Sequence, residues 1–358
     1  MLQDMTIQSK TLVSYLETLI TTPSPTGYTK LVEQYLISHA QEKKIAFEHT
    51  RKGAVLYKFE SGSARSNVMF AAHVDTLGAI VKEVRRETLK LSSIGGYPVM
   101  YVIGDYCRIH TFDDHQYEGT ILPDNPAAHV NKELDTLEMK LEKLSVRVDF
   151  VPKNKKDTLK NCIEVGNFVS FDPKFRVVND FIKARHLDDK ASGAVLLYLA
   201  DVLNEVQSAL SCNVYLFFNI TEETGQGIAG FPQRIDDLII VDMGVVGDGA
   251  DGDEFHVSIC AKDSSGPYNY DLTQRLVSLG KQYQIGYKTD IFPFYSSDGS
   301  SALRAGGDMR VALVGPGVSA SHGYERTHIN ALTNTAKLLL CFLESCDYSP
   351  ASSSGRPK

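Results

Sequence analysis

The 358 residues contain no close cysteine pairing. The six cysteines (Cys107, Cys162, Cys212, Cys260, Cys341 and Cys346) are scattered, with no CxxC spacing. A disulfide framework therefore has no support, and buried or free thiols in a reducing compartment are expected. The start of the chain, with Gln3, Asp4 and several Thr and Ser before Leu12, lacks the basic region and apolar core of a signal peptide. No uninterrupted apolar run reaches the roughly 18 to 20 residues that span a bilayer. Membrane insertion is therefore not expected, and the expected location is cytoplasmic. Basic residues are outnumbered, 37 Lys and Arg against 44 Asp and Glu. A formal net charge of -7 argues against non-specific binding to nucleic acid or to an anionic membrane. No internal repeat is present.

Three familiar functional patterns are absent as well. Ser296-Ser297-Asp298-Gly299-Ser300-Ser301 does not fit Gly-x-Ser-x-Gly, so a serine hydrolase has little support. The stretch 247–254 mixes Gly and Asp without EF-hand spacing and opens no helix as a dinucleotide motif should, so it reads as a loop. Asp298 is expected as a helix N-cap, with pocket lining as the alternative. His39, His110 and His256 are expected as surface or packing residues.

What is present is an ordinary globular composition, 43% hydrophobic and 23% charged, in a chain longer than one core usually serves. Leu12, Tyr15, Leu16, Leu19 and Ile20 recur at helical spacing until Thr22-Pro23. A second helix is expected over 28–41, with Leu31, Tyr35 and Leu36 inward. Residues 55–59 and 67–72 read as strands, the latter running into His73-Val74-Asp75. From 79 to 180 the texture becomes short β-like pieces (79–84, 88–91, 106–110, 118–122 and 168–171), with the charged stretch 131–143 as helix or loop. The α/β pattern resumes after 184. An amphipathic helix carrying Val195, Leu196, Leu199, Leu203 and Val206 is expected, then strands at 213–220, 238–241 and 310–314, and helices at 271–283, 300–305 and 330–345. The Ser- and Pro-rich tail 349–358 is expected to be disordered.

The stretch that focuses the chemistry is Thr221-Glu222-Glu223-Thr224-Gly225, directly after an apolar run. Adjacent side chains on a strand point to opposite faces, so the two acids share a pocket only if the backbone turns, and Gly225 permits that. Two carboxylates in one pocket raise a proton affinity unless a cation intervenes. His73, Asp75, Glu222, Glu223 and Asp242 all fall at or just after the ends of apolar runs, where open α/β sheets place their ligand sites. Five side chains, His73, Asp188, Glu223, Asp242 and a C-terminal histidine, suffice for two divalent ions that share one carboxylate. Three carboxylates and a shared hydroxide would offset their charge. Mixed imidazole and carboxylate ligation suits zinc, cobalt or manganese better than calcium or magnesium. Taken singly each motif has an ordinary reading: a polar pair, a helix cap, a solvated turn. Together they would require several coincidences.

The set Ala72-His73-Val74-Asp75, Leu187-Asp188-Asp189-Lys190, Thr221-Glu222-Glu223-Thr224-Gly225, Val241-Asp242 and Ser321-His322-Gly323-Tyr324-Glu325 resembles the M42 family of metalloaminopeptidases. The resemblance covers nearly the whole chain except the tail. It implies an α/β fold: a mixed-sheet α/β/α zinc-peptidase-like catalytic domain over 1–78 and 181–348, interrupted by an inserted β-rich domain, PDZ-like or β-barrel, over 79–180. It implies two divalent metal ions, with Asp188 as the bridging ligand, Glu223 and His322 on one ion, and His73 and Asp242 on the other. Glu222 would be the general base, Asp75 the partner that orients His73, and the Asp188-Asp189 peptide would be cis. Thr76 departs from the family, which usually has an acidic residue there. The last ligand is open between His322 and His328. Distance from the final helix and the following glutamate favour His322.

The implied activity is hydrolysis of N-terminal amino acids from peptides, with Glu222 moving the proton. An amidase or deacylase acting on N-acylated peptides or small amides is the alternative, followed by an inactive metal-binding scaffold. A glycosidase built on the two glutamates would leave the remaining ligand positions unexplained. The resemblance also implies a homo-oligomer, a closed assembly of dimers such as a dodecamer.

Overall fold

A computed structural model describes residues 5–62, 64, 66–230 and 234–346. The tail expected to be disordered lies outside them. In chain order the elements are α1 (Ser9–Thr21), α2 (Lys30–Lys43), β1 (Ala46–His49), β2 (Val55–Phe59), β3 (Asn67–His73), β4 (Gly78–Val84), β5 (Thr88–Ile94), β6 (Tyr106–His110), β7 (Gln116–Pro123), β8 (Leu144–Val148), β9 (Phe168–Phe171), β10 (Arg176–Val178) and β11 (Phe181–Ala184). There follow α3 (Leu187–Val206), β12 (Asn213–Asn219), β13 (Asp237–Val241), β14 (Gly244–Val246), β15 (Val257–Asp263), β16 (Gly266–Pro267), α4 (Tyr270–Gln282), β17 (Tyr287–Ile291), α5 (Asp298–Arg304), β18 (Arg310–Ser319), β19 (Glu325–His328) and α6 (Ile329–Glu344).

Two β systems result. A mixed sheet runs β1-β2-β12-β3-β13-β18-β19-β11-β10, with β14 and β15 also paired to β18. At its centre β12, β3, β13 and β18 are mutually parallel. These strands are continuous runs such as Val68 to Ala72 and Leu238 to Val241, buried throughout, as a sheet covered on both faces requires. The second system is a closed six-stranded barrel, β4-β5-β8-β7-β6-β9, around its own cluster of Val81, Leu89, Ile109, Ile121, Val146 and Val169. The expected mixed α/β fold with a β-rich insertion is therefore what the chain adopts.

Several local readings change. In α2 the buried positions are Val32, Leu36, His39 and Ala40, whereas Leu31 and Tyr35 are half-buried, so the inward stripe is rotated by one residue. The helix α3 is not amphipathic: Leu187 to Ala200 are all buried, because the helix lies between β3 on one side and α1 and α6 on the other. The charged stretch 131–143 is a loop with two short 3-10 turns, and β8, the barrel strand between β5 and β7, follows it. No helix among the described residues is long and apolar enough to cross a membrane.

Candidate metal centre

The parallel strands deliver the site. His73 ends β3, in register with Asn219 at the end of the adjacent β12, and Asp242 follows the end of β13 on the other side of β3. After Asn219 the chain turns. Gly225 sits at φ +72°, its N–H donates to Glu222 O (2.7 Å), and both glutamates face the same cluster. Their exposures differ: the Glu223 side chain is 3% exposed and that of Glu222 19%. The turn thus gives one buried carboxylate and one that opens on the cavity.

Asp188 and Asp189, joined by a cis peptide, open α3. Asp188 lies between two imidazoles, with Oδ1 3.2 Å from His73 Nε2 and Oδ2 3.3 Å from His322 Nε2. His322 Nε2 is also 3.6 Å from Glu223 Oε2, and His73 Nε2 is 3.8 Å from Glu222 Oε2. His328 is elsewhere: its Nδ1 accepts from Asn330 N at the start of α6, and its ring packs on Phe181 and Phe255. Of the two histidines left open by sequence, His322 is the one brought to the cluster.

The Asp75 carboxylate lies beside His73, as the expected orienting role requires, and also makes other contacts. His73 Nδ1 donates to the Asp75 backbone carbonyl at 3.2 Å, whereas the carboxylate oxygen is 3.6 Å away. That carboxylate also accepts from the backbone N–H groups of Glu222 (3.2 Å) and Glu223 (3.3 Å) and from the Thr26 hydroxyl (2.6 Å). It fixes the turn that carries the glutamate pair.

Further groups support the centre, among them Glu325, Asn219, Asp298 and Lys190. Glu325 accepts from Asp188 N (3.0 Å) with one oxygen and from His322 N (2.9 Å) with the other, tying two distant segments together. Asn219 Nδ2 donates to both oxygens of Asp298 (2.9 Å each), so Asp298 is a buried member of the cluster's rear wall. The N-cap of α5 is Ser297, not Asp298, because the Ser297 hydroxyl accepts from Ser300 N. Lys190, fully buried, donates to Leu19 O (2.8 Å) and Thr22 O (2.7 Å) at the end of α1, and burial pulls its pKa down to about 7. His322 Nδ1 donates to the carbonyl of Gly96, in the loop that leaves β5 of the barrel. The sequence signal for Glu325 was its place three residues after His322. Asp298 carries the cap or pocket reading given above, Lys190 stands in the Asp188 motif, and Asn219 carries no such mark. Of the remaining histidines, His39 and His110 are buried packing residues bonded to Tyr57 and Ser170, and His256 pairs with Asp253.

The electrostatics show a surplus of negative charge. Burial, then the nearby Asp188, pushes Glu223 up to about 8, and the same two causes push Asp242 up to about 6. Burial chiefly, with Asp298, Asp242 and Glu223 adding repulsion, raises Glu222 well above the usual carboxylate range. Burial would also raise Asp188, but hydrogen bonds from His322 and His73 outweigh it and hold the group low. Oε1 of Glu223 and Oδ1 of Asp189 are buried without a hydrogen-bond partner. Buried, unpartnered carboxylate oxygens are costly unless a cation meets them. His73, Asp189 and Asp242 offer ligand atoms within 4.8 Å of one another, which adds Asp189 to the expected set. The donor set therefore fits divalent metal ions held by imidazole and carboxylate.

In front of the centre lies a cavity of about 690 Å³ lined by Asp188, Glu222, Glu223, Asp242 and His322 on one side and by residues of the 243–250 and 291–296 segments on the other. It is large enough for an amino acid side chain and part of the peptide that follows it.

A family profile described as M42 glutamyl aminopeptidase matches residues 53–338. The chain is 41% identical over 344 residues to the candidate aminopeptidase YhfE of Bacillus subtilis (strain 168), covering 95% of this chain and 99% of that one. Among solved structures it is similar to a TET aminopeptidase from a marine sediment thaumarchaeote, at TM-score 0.82 and 16% identity over 94% of this chain and 97% of the other. It is also similar to the TET1 peptidase of Pyrococcus horikoshii, at TM-score 0.81 and 20% identity over 93% and 99% of the two chains. At these identities the structural likeness speaks for the fold.

Proposed function

The chain belongs to the M42 peptidase family and is a peptidase hydrolase, and from that premise we propose that it is a dinuclear-metal-dependent aminopeptidase that removes N-terminal residues from peptides. The observation that carries this reading is the Asp188 carboxylate set between His73 and His322, with Glu223 and Asp242 at hand and Glu222 facing the cavity. In this reading Asp188 is shared by two ions, Glu223 and His322 serve one, His73 and Asp242 the other, and zinc, cobalt or manganese is the metal. Bound metal ions would supply Lewis acidity toward the scissile carbonyl and lower the proton affinity of water.

Every other step falls to the protein. Glu222, whose burial among acids raises its proton affinity, is suited to take a proton from the attacking water and return it to the leaving amine. Asp75 holds the Glu222 and Glu223 backbone in place, and Glu325 holds Asp188 and His322. Residues 79–180, which include the barrel, are assigned to substrate access and subunit contacts. The TET1 peptidase of Pyrococcus horikoshii is described as assembling into a tetrahedron or a large octahedral shell, and a homo-oligomer is proposed here by analogy. Sedimentation showing only monomer would oppose that assignment. The cytoplasm is the proposed location, in keeping with six unbridged cysteines.

The test is a metal titration of activity on aminoacyl-p-nitroanilides and on N-acyl amino acids. Metal-dependent cleavage of the free-amine substrates is expected. Cleavage confined to N-acylated compounds would replace the aminopeptidase by an amidase or deacylase, and metal binding with no turnover would leave a scaffold.

A further inference from the structure

The cavity lining includes an apolar group, Met243, Val245, Ile291, Phe292, Pro293 and Phe294. The lining carries carboxylic side chains, Asp248 at the exposed rim included, and no Lys or Arg is present among the described lining residues. A substrate side chain bearing a carboxylate would find no basic Lys or Arg side chain there to pair with it. The family's glutamyl description is therefore not matched by a glutamate-binding group in this pocket.

Phe294 is the second observation. It is 100% exposed, although it lines the cavity mouth, and its neighbour Ile291 is 54% exposed. The segment between β17 and α5 that carries it is pinned on both sides of Phe294. Phe292 is 2% exposed and its N–H donates to Lys262 O (2.9 Å), while Tyr295 O accepts from Ser264 N (2.9 Å) and Ser264 Oγ (2.6 Å). A bare aromatic ring held at the mouth of a pocket has apolar area to bury when something enters.

We propose that the pocket takes an N-terminal residue with an apolar side chain, of leucine, methionine or phenylalanine type, and that Phe294 covers that side chain and sets the preference. This rests on the aminopeptidase reading above. Removing one aromatic wall from an apolar subsite weakens large apolar substrates and spares small ones, because a methyl side chain does not reach it.

The experiment compares the metal-loaded enzyme and its Phe294→Ala variant on the p-nitroanilides of Leu, Phe, Ala, Lys and Glu. The expected kcat/KM for Leu exceeds that for Glu and Lys by about tenfold or more, and Phe294→Ala lowers it for Leu about tenfold, through KM, while Ala is unchanged. A Glu or Lys substrate cleaved as well as Leu, or a variant that loses Leu and Ala activity in equal measure, overturns the proposal. If no anilide is cleaved, the peptidase reading itself fails. The pocket preference is then decided by calorimetry on the metal-loaded protein. Tighter binding of L-norleucine than of L-glutamate, weakened in Phe294→Ala, supports it, and equal binding sinks it.

Discussion

At the scale of single residues, the two glutamates are separated by burial. Glu223 is enclosed and Glu222 opens on the cavity, so Glu222→Gln should remove proton transfer while leaving the metal donors untouched. General-base removal typically costs about 10² to 10⁴ in rate. The expected result is a fall of that size in kcat with unchanged metal content by elemental analysis, and an active, fully loaded variant would refute the role. Glu325 acts through others. Its loss strips acceptors from Asp188 N and His322 N together, so Glu325→Ala is expected to weaken metal binding by about 10- to 100-fold, as supporting hydrogen bonds to ligands commonly do. A metal-buffered titration giving the wild-type affinity would remove Glu325 from the account.

At the scale of elements, the site depends on how closely β18 passes the end of β13. A Cβ on Gly315 would lie 1.9 Å from the backbone oxygen of Asp242, a contact that moves the strand end leading to this proposed ligand. Gly315→Ala should cost about 1 to 3 kcal/mol by overpacking. It should weaken metal binding as well, and denaturant melts alongside metal titration would reveal both effects. A variant of wild-type stability would mean that the strand relaxes freely. The same scale shows what the sequence can carry. Strand ends bearing His73, Glu222, Glu223 and Asp242 were legible, because apolar runs terminate there and carboxyl ends of parallel strands converge. The strand β8 was not, since its five residues follow a long charged stretch whose composition masks them. Asp298 was read as a cap because Ser297 and Asp298 are both good capping residues, and only the tertiary approach of Asn219 separates them. Phe294 was invisible for a further reason: periodicity reports burial, and a fully exposed aromatic leaves no periodic trace.

At the scale of the whole molecule, the buried carboxylates make metal-free stability depend on pH. Folding raises Glu223 from 4.5 to about 8 and Asp242 from 3.8 to about 6, so the folded state binds protons more tightly. Their contribution is fully present below the unfolded values and is lost as pH rises through about 6 and then about 8. His322, raised to about 10 against the opposing effect of burial by its contact with Asp188, works in the same sense over a higher range. The chelated protein should therefore lose Tm steadily from pH 5 to pH 8. Added metal should restore more at the upper end, because it competes with protons for the same oxygens. A Tm of the chelated protein that is flat or rising across this window would contradict the charge surplus.

The hydrogen bond from His322 to Gly96 has a mechanical meaning. The imidazole that faces Asp188 is steered by the rim of the barrel, so the two β systems do not behave as a rigid catalyst beside an inert appendage. In the proposed reading, a shift of the loop carrying Gly96 would reorient His322, and an ion held by His322 would resist that shift. Forces applied at the barrel's outer wall and occupancy at the strand ends are then conjugate quantities, each readable through the other.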